Sequence, residues 1–261
     1  MISVKDLNIR FGKFSILDQI FFDLSVGKIT SIVGPNASGK TTLIKALNNE
    51  ININRGTILL QEKLIREHKE SPELIAKWRA FLPQKSILSF DFNVLDVVMM
   101  GRYPYQKSKT DEENKSIAQK YLSKLGLEDL SKRSFTRLSG GEQQRVQFAR
   151  ILSQMHECIN SDARGLLFLD EPTSDLDIKY QHEILEILKE LKTNNLCIVI
   201  VIHNLEQAAN YSDKTILLNK GRIESVGKPL QVLSSKRIEK TFGIQSEWHL
   251  ENDKKYLRIK Y

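Results

Sequence analysis

Three short strings carry the residue types that handle phosphate. Residues 34–41 read GPNASGKT, residues 138–145 read LSGGEQQR and residues 166–172 read LLFLDEP. The first satisfies the eight-residue phosphate-loop pattern in full. Gly34 and Gly39 let backbone N–H groups curl around phosphates at a helix N-terminus, where the dipole favours anions. Pro35, Asn36, Ala37 and Ser38 complete the cradle, and Lys40 would reach the β- and γ-phosphates. The Thr41 hydroxyl would ligate Mg²⁺, with Thr42 closing the nucleotide-binding set. Such a loop alone does not separate kinases, GTPases and ATPases.

The third string is an apolar run ending in two acids. A buried strand that delivers Asp170 and Glu171 at its C-terminal end would place them beside the phosphate loop of the same sheet. Asp170 would hold Mg²⁺ through its water shell, and Glu171 would polarise an attacking water as general base. Two carboxylates argue for hydrolysis rather than phosphate transfer to an acceptor. The second string, with Ser139, Gly140, Gly141 and Glu142, opens a helix and offers another anion site of hydroxyl, backbone N–H groups and positive helix end. A plain helix cap is the competing reading. One ATP cannot easily use two such sites from one chain, so the pattern predicts two chains sharing the nucleotide.

These groups need elements to position them. Residues 29–33 read as a short strand into the glycine loop and residues 41–48 as the helix after it, the context a phosphate loop requires. Alternation at Ile2, Val4, Leu7, Ile9 and Phe11 predicts edge β structure, with turns at Lys5-Asp6 and Gly12-Lys13. Ser71-Pro72-Glu73 is a helix start, followed by a strand over 79–83. From 85 to about 155 the pattern is helical. Asn93 and Thr110 cap helices over 94–100 and 111–125, Gly126 terminates the second, and a third runs from the glycine pair to 152. Strands then alternate with helices: strands over 166–169, 197–202 and 215–218, helices over 178–191 and 205–209. That order predicts a mainly parallel sheet covered by helices. The tail from Gly227 carries a short helix or two and a final strand over 256–259. There are no internal repeats.

Composition narrows the class without naming it. The 261 residues are 41% hydrophobic and 27% charged, the balance of a soluble globular protein. No apolar run approaches the roughly 20 residues a membrane-spanning helix requires. The charged N-terminal stretch has no secretory core. Cys158 and Cys197 fit no metal or redox spacing and read as reduced cytosolic thiols. The net charge of +7 is spread along the chain beside acids, a solvated surface rather than a nucleic-acid-binding tail.

With these strings in this order, the chain resembles the nucleotide-binding subunit of an ABC transporter over nearly its whole length. The resemblance implies an α/β fold: a P-loop NTPase (RecA-like) core with a mainly parallel sheet, an antiparallel β edge subdomain and an inserted α-helical lobe. The core would span 1–84 and 156–261 and the lobe 85–155, within one ABC ATPase domain. It further implies that Phe11 stacks on adenine, against the alternative of a core phenylalanine. Gln84 would touch Mg²⁺ and the attacking water. Residues 174–177 (SDLD) would cross the dimer interface. His203 would contact the γ-phosphate as a switch histidine, against the alternative of a buried structural histidine. The other histidines, at 68, 156, 182 and 249, lie in polar segments and read as surface. Asp175 and Asn204 depart from the family's usual alanine and aspartate, which leaves the interface and the His203 loop open in detail.

The stretch FDFNVLDVVMMGRYPY, the pair Gln143-Gln144, the string DIKYQHEIL and a polar spacer over 153–164 are similar to the iron-siderophore, cobalamin and haem importer group. They most resemble its haemin-import ATP-binding proteins. The implied assembly is a homodimer binding ATP and Mg²⁺ on the cytoplasmic face of the inner membrane. It would sit against transmembrane permease subunits, which receive cargo from a periplasmic or surface substrate-binding protein, and would bind no nucleic acid. Ile87, Leu88, Phe90 and Phe92 are candidates for the permease contact, with core packing an equal explanation for some. The other readings are an ATPase subunit for ferric siderophores or cobalamin, a non-transport ABC ATPase acting on ribosomes or DNA, and a phosphate-loop kinase. Ribosomal members carry two cassettes and DNA-repair members long coiled coils, and this chain shows one cassette and no heptad run.

Overall fold

The computed structural model describes residues 2–60, 63–65, 70–85, 90–192 and 195–260. The chain forms two compact units, one from residues 1–69 and 197–261 and the other from residues 70–196. The first unit opens with a hairpin of β1 (Ile2–Phe11) and β2 (Phe14–Leu24), in which Phe11 faces Phe14 across the Gly12-Lys13 turn. Ile2, Val4, Leu7 and Ile9 are buried. Their spacing slips by one between Val4 and Leu7 because Asp6 takes a left-handed φ of 48° and the register shifts there, a bulge rather than the expected turn. Strand β3 (Lys28–Val33) runs into the phosphate loop and α1 (Lys40–Leu47), after which β4 (Arg55–Leu60) and β5 (Lys63–Leu64) extend the hairpin. The order β2-β1-β4-β5 is antiparallel throughout, the expected β edge.

The second unit begins with α2 (Pro72–Trp78), capped by Ser71, and β6 (Arg79–Leu82). Helices α3 (Val94–Met99), α4 (Asp111–Lys124), α5 (Gly140–Gln154) and α6 (His156–Asn160) follow. Strand β7 (Gly165–Asp170), parallel to β6, and helix α7 (Ile178–Glu190) close it. Within the polar spacer α6 follows α5 almost at once, and its Cys158 is buried. A buried arginine explains this. Arg102, 1% exposed, makes a bidentate pair with Glu157 of α6 at 2.7 and 3.0 Å. It also donates to Asn114 of α4 and to the Ser153 carbonyl of α5, and stacks 4.1 Å from the Tyr105 ring centroid. One guanidinium thus ties three helices, because each of its donors must be satisfied once it is out of water.

The chain then returns to the first unit. Strand β8 (Leu196–Val201), which enters that unit at Cys197, is buried at every residue. Burial of one Ile or Val side chain contributes about 1.5–3 kcal/mol, enough to specify this run as interior. After α8 (Leu205–Tyr211) come β9 (Lys214–Asn219) and β10 (Arg222–Gly227). Strand β3 lies parallel to both β8 and β9, and β10 pairs antiparallel with β9. Helices α9 (Pro229–Val232) and α10 (Ser235–Phe242) lead to a hairpin of β11 (Gln245–Glu251) and β12 (Lys254–Lys260). Among the described residues no helix is long and apolar enough to cross a membrane.

Candidate functional site

In the first unit the phosphate loop has the shape its glycines require. A Cβ on Gly34 would stand 2.1 Å from the Leu218 carbonyl oxygen, so only glycine allows this approach. Gly39 sits at φ 102° as the N-cap of α1, and a Cβ there would meet Leu17 at 2.7 Å. Lys40 is buried, and its ammonium donates to the Gly34 and Pro35 carbonyls at 3.0 Å each, folded back over the loop. Ser38 is 3% exposed and its hydroxyl has no hydrogen-bond partner among the described residues. A buried, unspent donor inside a glycine cradle fits a phosphate oxygen.

The same unit holds two more predicted residues. Phe11 is 52% exposed at the end of β1, which removes the core-phenylalanine reading and leaves a ring face available for stacking. His203 is exposed just past β8, which removes the buried structural reading. The Ile202 N–H donates to the Ile32 carbonyl, tying the segment before His203 to the strand that feeds the phosphate loop. Asn204 caps α8 by accepting the Gln207 N–H at 3.1 Å. It therefore does the capping work of an aspartate without the charge.

The second unit holds the carboxylates. Asp170 ends β7 at 1% exposure. Glu171 follows at φ 52°, a left-handed conformation that costs a non-glycine residue energy and gathers at functional sites. Gln84 donates its amide to the Glu171 carboxylate at 2.7 Å, so the two residues proposed to handle water are in contact. The turn after Glu171 is closed by the Ser174 N–H on the Glu171 carbonyl. Gln144 reaches the Pro172 carbonyl at 3.4 Å.

Ser139 caps α5 in a complete capping box. Its hydroxyl accepts the Glu142 N–H at 3.3 Å, while the Glu142 carboxylate accepts the Ser139 N–H at 2.8 Å. The helix-cap reading is thus realised in the chain, and Ser139 and Gly140 are also exposed. Gly141 differs from Gly140. A Cβ on Gly140 meets nothing, whereas one on Gly141 would lie 3.2 Å from the Asp175 carbonyl oxygen. The 174–177 loop therefore packs on Gly141, and this contact uses the backbone of Asp175 rather than its side chain. Arg145, buried, stacks 3.9 Å from the Tyr180 ring centroid and donates to the Leu125 carbonyl, so α5 also holds α7. No short motif announces that pair.

Of the candidate permease contacts, Phe90 is 73% exposed and Phe92 is half-buried beside it. Ile87, Leu88 and His68 lie outside the described residues. His182 and His249 are exposed as expected, but His156 is half-buried, with Nδ1 at 3.1 Å from the Tyr121 hydroxyl, because the spacer is a packed helix. Cys158 and Cys197 are free and buried, and burial pushes their thiols up to about 11 and about 12. Both are poor nucleophiles.

A phosphate cradle, a strand ending in paired carboxylates and a serine-capped glycine helix together define an ATP-hydrolysing cassette. The sequence profile of the ABC transporter family matches residues 17–174, and the chain belongs to that family. Its relatives include the hemin import ATP-binding protein HmuV of Photobacterium damselae subsp. damselae, 39% identical over 93% of this chain and 89% of that one. The protein of the same name from Gloeobacter violaceus is 37% identical over 94% and 88%. Among solved structures, an inward-facing transporter described as of the metal-chelate type matches with TM-score 0.78 at 27% identity, covering 99% of this chain and 96% of that one.

Proposed function

We propose that this chain is the ATP-hydrolysing subunit of an ABC importer for haem or a related iron compound. It acts as a homodimer on transmembrane permease subunits at the cytoplasmic face of the membrane, downstream of a substrate-binding protein. Hydrolysis rests above all on the Gln84–Glu171 hydrogen bond, which holds a carboxylate at the end of the acidic strand beside an amide able to orient water. The cargo class rests on the identity to hemin-import relatives across nearly the whole chain.

Lys40 and the loop N–H groups bind the β- and γ-phosphates, the Ser38 hydroxyl donates to one of their oxygens, and Phe11 stacks on the base. Thr41, Asp170 and Gln84 are the oxygen donors that would hold Mg²⁺, a set suited to an ion bound by few protein groups plus substrate phosphates. That ion supplies charge neutralisation at the phosphate oxygens. Glu171 takes the proton of the attacking water. Ser139 and the residues 140–142 of one copy close over the nucleotide held by the other, and His203 contacts the γ-phosphate. The helical lobe, residues 85–155, passes the resulting motion to the permease. Only a ligand with differential contacts can shift such an equilibrium, and the γ-phosphate provides them.

Glu171→Gln should leave ATP binding intact, lower turnover by at least about 100-fold and accumulate an ATP-bound dimer. Wild-type turnover by the purified variant would remove Glu171 from the role of base. For the cargo, the chain reconstituted with its permease and binding protein should transport haem in preference to ferric siderophore or cobalamin. Preference for either of the others reassigns the substrate.

A further inference from the structure

The C-terminal hairpin lies beyond the 17–174 stretch shared with the family profile, and it is fastened to one helix. Helix α8 has only seven residues, too short to hold its own conformation without tertiary support. Its polar face is spent on β12. The Asn210 amide donates to the Lys255 carbonyl at 2.8 Å and accepts the Lys255 N–H at 2.9 Å. The Glu206 carboxylate, one turn earlier, accepts the Leu257 N–H. The Lys255 ammonium donates to the Ala209 carbonyl near the C-terminal end of α8. Alternate backbone groups of β12 are thus taken by side chains at i and i+4 of one helix, while β12 pairs in full register with β11 on its other side.

The hairpin is itself well fixed. Asn252 and Asp253 both have positive φ, 48° and 61°, the geometry of a primed two-residue turn that matches strand twist. The Trp248 indole donates to the Leu233 carbonyl at 2.6 Å, anchoring β11 at the end of α9. A rigid hairpin therefore grips a short helix whose N-cap, Asn204, is the residue after His203. Sliding or rotating α8 would move His203 with it.

From this we infer that the β11–β12 hairpin is a positioning element for the reaction: through Glu206 and Asn210 it sets the place of α8 and hence of His203. The inference rests on the proposed ATPase reading for its kinetic consequence, but not for its structural one. Glu206→Ala with Asn210→Ala in the full-length chain should speed amide exchange over residues 203–211 by about tenfold or more, with residues 34–41 unchanged. Turnover should fall about tenfold at unchanged KM for ATP. Glu206→Gln alone, which keeps an acceptor oxygen, should behave as wild type in both measurements. In a His203→Ala background the double substitution should cost less than about twofold, because a positioning effect has nothing left to position. Unchanged exchange over 203–211, or the same turnover loss with and without His203, overturns the inference. If the wild-type chain hydrolyses no ATP, the ATPase reading falls, and the exchange measurement alone decides the role of the hairpin.

Discussion

Helices α1 and α5 both begin on glycine-rich strings, and they begin in opposite electrostatic states. α1 starts at Gly39 with no side-chain cap and no acid in its first turn. α5 starts at Ser139 with a full capping box, and Glu142 holds a carboxylate over its first N–H groups. A positive helix end left without its own anion is ready for a foreign one, whereas an end already capped by a carboxylate must trade it for phosphate. Under the proposed shared-site arrangement, the contrast would separate a site that binds nucleotide in the single chain from one that engages nucleotide brought by a second chain.

The largest test of that contrast mixes two dead chains. Lys40→Ala removes the ammonium from the open site, and Ser139→Arg fills the capped one. Each alone should hydrolyse ATP at below about 1% of the wild-type rate. In an equal mixture half the dimers are mixed and each keeps one intact site of two, so roughly a quarter of wild-type activity should return. No recovery sinks the shared-site arrangement. Chains that each worked alone would both stay dead in the mixture.

A smaller effect isolates Glu142. Glu142→Gln keeps the acceptor that caps Ser139 but removes the charge an incoming phosphate must face. ATP-dependent dimerisation should tighten by roughly threefold to fivefold, the size of one charge at a helix end, with ATP binding by the monomer unchanged. Helix α4 is the control, since Thr110 and Glu113 form the same capping box without the glycines. Glu113→Gln should leave dimerisation alone. Equal tightening in both variants would make the effect one of net charge and erase the distinction between α5 and an ordinary capped helix.

A third test lies in the glycines. Gly39→Ala forces a side chain into a left-handed residue against Leu17 and should destabilise the chain by about 1 kcal/mol or more, measured by denaturant unfolding. Gly140→Ala meets open space and should cost less than about 0.5 kcal/mol in the same measurement. If the two cost the same, the packing difference between the two helix starts has no energetic meaning.

What the sequence revealed of this arrangement follows from how local each signal is. The phosphate loop, Asn93, Thr110 and Ser139 were readable because a cap or a glycine turn is decided within four residues. Strands β3, β7 and β8 were readable because they are buried at every residue but Lys28. The helix within the polar spacer was not legible because its partner is distant: Arg102 stands 55 residues from Glu157, and neither residue type signals burial by itself. Strand β11 was missed although Asn252-Asp253 marks a primed turn, since its exposed residues break the apolar alternation that announces a strand. The left-handed Glu171 left no trace in the sequence, because its strain is imposed by the strand and turn on either side.

The smallest effect is a titration. Hydrogen bonds from the Ser139 N–H and hydroxyl, then the charges of Arg133 and Arg145, hold the Glu142 carboxyl below the usual carboxylate range. A carboxyl with a lower pKa folded than unfolded binds fewer protons when folded. Its stabilisation is therefore complete above the unfolded value of about 4.3 and is lost as pH falls through the lowered folded value. Glu142→Gln deletes that contribution without deleting the cap. Other acids share the downward shift, Glu113 among them, but they are common to both chains and cancel in the difference. Denaturant unfolding of wild type and Glu142→Gln should thus diverge at pH 7 and converge as the pH falls below the usual carboxylate range. Curves that stay parallel across that range would show that the carboxylate adds nothing to α5 that the amide does not. In that case the charge of Glu142 would not distinguish α5 from α1, and the Ser139 cap would remain as the difference between the two helix starts.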